Sequence, residues 1–155
     1  MKKHFIGAVR LELTTLRTPC VHSSQLNYAS DNLNNVIKAL KEGSLEGETQ
    51  EKIDEIMGMA RCLRAWNYHY LVQMFCDVPI LTEDTENYFS AQLSRSPIID
   101  VYNLIVSDYT YAISTLPINP GQKAHPNHDV AKALLAKAYL TMASYPLNDA
   151  SYWSR

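Results

Sequence analysis

The chain has 155 residues, 46% of them hydrophobic and 10% aromatic, and a formal net charge of −2. That length and apolar content suit one domain with a core of its own, and the charge balance gives no electrostatic basis for nucleic acid as a partner. Lysines and arginines are dispersed, and no apolar run approaches the ~18 residues a helix needs to cross a bilayer.

The start of the chain imitates a lipoprotein leader without its physics. Met1, Lys2, Lys3 and the later Cys20 fit the outline, but Arg10, Glu12 and Arg17 interrupt what should be an uncharged segment. Thr18 and Pro19 also fail as the small-residue approach to a lipidated cysteine. The run from Arg10 to Ser30, R-L-E-L-T-T-L-R-T-P-C-V-H-S-S-Q-L-N-Y-A-S, resembles the translation of a structural RNA gene. That implies no selected fold for residues 1–30, which are set apart as a leader; residues 31–155 are the helical domain.

From Asp31 the spacing is helical: Leu33, Val36, Ile37 and Leu40 share one face, Leu26 and Ala29 extend it upstream, and Gly43 is placed to end it. A short loop with two glycines, Glu42 to Glu48, reverses the chain. The next helix is long, from about Thr49 to Phe75, with Ile53, Ile56, Met57, Ala60, Leu63, Tyr70, Leu71 and Met74 as its apolar stripe. Its second half, Trp66 to Phe75, is apolar or aromatic on more than one side, so it needs neighbours on several faces. Pro79 has no N–H and pushes Val78 toward extended geometry, which ends the helix near Cys76 or Asp77.

A polar surface loop, Thr82 to Ser94, follows. Ser96 then reads as a cap and Pro97 as the first helical residue. Ile98, Val101, Tyr102, Ile105, Tyr109, Ala112, Ile113 and Leu116 give the face of the third helix, ending before Pro117. The segment from Pro117 to Asn127 cannot continue it. Asp129 is the expected cap of a last helix in which Val130, Ala131, Leu134, Leu135, Ala138, Tyr139 and Met142 line up.

Four stretches carry a resemblance. Ala60, Arg61, Leu63, Arg64, Ala65, Tyr68, Tyr70, Leu71, Val72, Phe75, Asp77, Val78, Pro79, Thr82 and Glu83 fall in the order of the signature segment of the SusD/RagB family, with Cys76 where glycine is usual. Downstream, V-Y-x-x-I-x-x-D from Val101 to Asp108 and A-K-A-L-L-A-K-A-Y-L from Ala131 to Leu140 resemble the same family at similar spacing. The resemblance covers about Asp31 to Asp149, with Asn34, Asn35, Val36 and Ile37 matching upstream of the signature.

What the resemblance implies is an all-α fold of antiparallel helical hairpins, the tetratricopeptide-like scaffold of the SusD-like fold. It also implies a nutrient-binding lipoprotein of the cell outer membrane, one that captures an oligosaccharide for a SusC-like TonB-dependent transporter without catalysis. Members are longer, so the chain is expected to be a truncated, N-terminal helical part. The alternative is a freestanding tetratricopeptide-like module binding a protein or peptide, although no strict ~34-residue repeat is visible.

No residue pattern points to catalysis, a cofactor or a metal. His69 lies among aromatics with no second histidine one turn away, and reads as a packed histidine. His125 and His128 are separated by Pro126 and lack the rigid geometry of a metal pair. Cys62 and Cys76 are fourteen residues apart on one helix, ~21 Å of rise, too far for a disulfide. Adjacent carboxylates, Asp54 with Glu55 and Glu83 with Asp84, read as solvated pairs. An enzyme would need His69, Asp77 and Asp108 to converge around one cavity. For a glycan, exposed rings are the relevant chemistry, and Tyr88, Phe89, Tyr152 and Trp153 are the candidates. No motif carries the family's carbohydrate contacts onto numbered positions here.

Overall fold

A computed structural model describes residues 19–43, 45, 47–82, 94–119, 125–144 and 147, with side chains from residue 29 onward. Among these the chain forms helices α1 (Pro19–Lys41), α2 (Gln50–Phe75), α3 (Ile98–Thr115) and α4 (His128–Met142). The one sheet-like feature among them is a bridge between Val78 and Ser96. Each helix packs on the next in chain order, and α4 also touches α2 lightly. The α2–α3 pair runs antiparallel, because Gly58 meets Thr115, Arg64 meets Asp108 and Asp77 meets Ile98.

α1 starts at Pro19, well ahead of Asp31, so the division at residue 30 falls inside a helix. Leu33, Val36, Ile37 and Leu40 are buried against Met57 and Ala60 of α2, as their spacing predicts. Gly43 ends the turn at φ 79°, a conformation that glycine adopts without a Cβ penalty. Thr49 caps α2 by accepting the Lys52 N–H, and its own φ/ψ is extended.

α2 is the centre of the fold, flanked by α1 and α3 and touched by α4. Its buried set differs from the predicted stripe. Tyr70 and Met74 are 40% and 41% exposed, whereas Arg64, Asn67, Tyr68 and His69 are buried. A helix with neighbours on several sides buries more phases than one stripe can hold. Tyr68, Leu71, Val72, Val101, Tyr102, Ile105, Tyr109 and Ala112 form the main core between α2 and α3, which Ala131, Ala138 and Met142 of α4 complete. On α4, Val130 is exposed rather than buried.

Both predicted caps downstream are corrected. Ser96 does not cap α3; its N–H donates to the Val78 carbonyl at 3.1 Å. Pro97 is the N-cap residue, and the side-chain cap comes from Asp77, which accepts the Ile98 N–H at 2.9 Å from twenty-one residues upstream. Ser96 lies one residue before the N-cap position, which Pro97 occupies without a side-chain acceptor of its own. At α4, Asn127 rather than Asp129 caps, accepting the Val130 N–H at 2.8 Å. Replacing Asp77 by alanine is expected to cost about 1 kcal/mol, the usual loss for a helix cap. It should speed amide exchange in the first turn of α3 while leaving the first turn of α2 unchanged.

Cys76 terminates α2 at φ 58°, ψ −108°, and its N–H donates to the Val72 carbonyl. Among the described residues it is the one non-glycine with positive φ. A Cβ at that geometry is strained by roughly 1–3 kcal/mol, more than the entropy that glycine adds to the unfolded chain. Cys76→Gly is therefore expected to stabilise the fold by about 1 kcal/mol in urea unfolding. An unchanged or lower midpoint would show that the turn carries no such strain.

Candidate functional site

Three of the buried polar groups, Asn34, Arg64 and Asp108, converge where α1, α2 and α3 meet. Arg64 leaves α2 at a core phase and grips Asp108 of α3 with two parallel hydrogen bonds, Nε to Oδ2 at 2.7 Å and Nη2 to Oδ1 at 2.8 Å. Its third arm, Nη1, donates to Asn34 Oδ1 of α1 at 2.9 Å. Both charges are essentially removed from water. Arg61 sits one turn earlier, 3.9 Å from Asp108 Oδ1, with its guanidinium 4.2 Å above the Tyr111 ring.

The same network holds the chain that leaves α2. Asn34 Nδ2 donates to the Leu81 carbonyl at 2.9 Å. The Tyr68 hydroxyl donates to that carbonyl at 3.0 Å and accepts the Leu81 N–H at 2.8 Å. Tyr68 thus satisfies both backbone groups of Leu81, and burial holds its phenol above the ordinary value. Helix positions on two elements, α1 and α2, fix Leu81.

The other titratable candidates lie apart. His69, 3% exposed, has Nε2 3.0 Å from Thr141 Oγ1 of α4 and its ring edge-on to Tyr102 of α3. Asp77 caps α3 in an exposed position, and Asp108 is held by Arg64. The three residues an enzyme would need together are therefore committed to three different partners. His125 is half-buried, and His128 Nδ1 lies 3.0 Å from Asp129 Oδ1. Cys62 and Cys76 are free thiols; burial and the Asp108 charge push Cys62 up to about 12. Asp54 accepts from Gln50, and Glu55 pairs with Lys52 on the solvated side of α2. Among the described residues no three of His, Cys, Asp or Glu gather as a metal site would require. Cys20 has no described side chain, and Glu83, Asp84, Tyr88, Phe89, Tyr152 and Trp153 lie outside the described residues.

Among the described residues, the exposed Tyr70 and the half-buried Trp66 lie side by side on α2. Their ring centroids are 5.0 Å apart, with the planes tilted by 53°. Spacing alone puts both on the second half of the helix; what it cannot show is that α1, α3 and α4 leave that side open.

Residues 25–140 match a SusD-like family model described as starch-binding and associating with the outer membrane. The chain belongs to the SusD-like family. It is 28% identical over 109 residues to SusD-like protein P2 of Formosa agariphila, covering 70% of this chain and 22% of that one. Among solved structures, a SusD superfamily protein from Parabacteroides distasonis matches with a TM-score of 0.77 at 29% identity, over 86% of this chain and 28% of that chain. A laminarin-binding SusD-like protein matches with a TM-score of 0.73 at 29% identity, over 81% of this chain and 27% of that chain. The chain thus spans about a quarter of the length of these relatives. In this SusD-like chain the signature residues have structural duties. Arg64 and Tyr68 tie helices and exit segment together, and Asp77 and Val78 join the end of α2 to the start of α3.

Proposed function

We propose that this SusD-like chain supplies helical scaffold to a non-catalytic protein that captures an oligosaccharide at the cell outer membrane and passes it to a SusC-like TonB-dependent transporter. The observation that carries the reading is the match of residues 25–140 to a family described as starch-binding and outer-membrane-associated. The laminarin-binding relative, at 29% identity, supports a glycan as the ligand class. The separate commitments of His69, Asp77 and Asp108 favour binding over chemistry.

The reading is tested at two levels. The coding locus should lie beside a gene for a TonB-dependent transporter, and the full chain should be retarded in gels cast with laminarin or starch. A locus without such a transporter, together with unretarded migration in both gels, would overturn it. Retention on an immobilised peptide array under the same conditions would favour a freestanding tetratricopeptide-like module.

A further inference from the structure

We draw no further inference here: the strongest candidate, the surface patch along the second half of α2 that carries Trp66, Tyr70 and Met74, is an unpartnered helix face, and nothing in the structure shows what covers it.

Discussion

Arg64→Ala is expected to cost about 3–5 kcal/mol, the range for removing one member of a buried ion pair, and in a chain this size that is most of the stability. The loss has three parts. Asp108 is left as a buried carboxylate without its bidentate partner, Asn34 Oδ1 loses its donor, and the space of a guanidinium opens between three helices. Arg64→Lys should recover only part, because an ammonium cannot make the two parallel bonds or reach Asn34 as well. The decisive comparison is Arg64→Met with Asp108→Leu. Replacing both charges by apolar side chains removes the desolvation cost along with the attraction, so the double variant should be much closer to the parent than either single one. Urea unfolding followed by helical circular dichroism measures all five variants. A single-variant loss under 1 kcal/mol would mean that the charges reach water and that the pair is no structural centre.

Gly58→Ala should also destabilise, against the helix propensity that favours alanine by roughly 1 kcal/mol. A Cβ built at Gly58 overlaps Thr115 Oγ1 and comes within 3.3 Å of Leu116 Cγ and Cδ2. Thr115 has little room to yield, since its hydroxyl donates to the Tyr111 carbonyl at 3.0 Å and Leu116 beside it is buried. Overpacking of this kind costs about 1–3 kcal/mol, so after the propensity gain the net loss is expected to reach up to about 2 kcal/mol. Removing the obstacle should reverse the sign: in a Thr115→Ala background, Gly58→Ala should stabilise, as propensity alone dictates. If Gly58→Ala stabilises the parent chain as well, the close approach of α2 to the end of α3 is not the reason for glycine there.

These two sites show where sequence and structure part company. Helix positions, the end of α2 and the core face of α3 all follow from local chemistry: periodicity and a proline without an N–H. Arg64 and Asp108 carried a signal that periodicity contains, since each is a charge at the core phase of its own apolar helix. What periodicity does not contain is that the two phases meet. Asp77 was equally opaque. Capping is normally local, and nothing in the residues from Val78 to Pro97 announces that the cap of α3 lies at the far end of the preceding helix. Gly58 looked like a weak point in a helix until α3 was laid against it. The candidate sugar-facing rings Tyr88, Phe89, Tyr152 and Trp153 lie outside the described residues.

The Val78–Ser96 bridge and the Asp77 cap have a further consequence. They clamp the two ends of the intervening polypeptide together at fixed points on the helical frame. Lengthening a segment whose ends are already fixed changes only its closure entropy, about 0.6 kcal/mol per doubling of length. By that measure, a change in the length of the segment between the clamps costs the helical frame little.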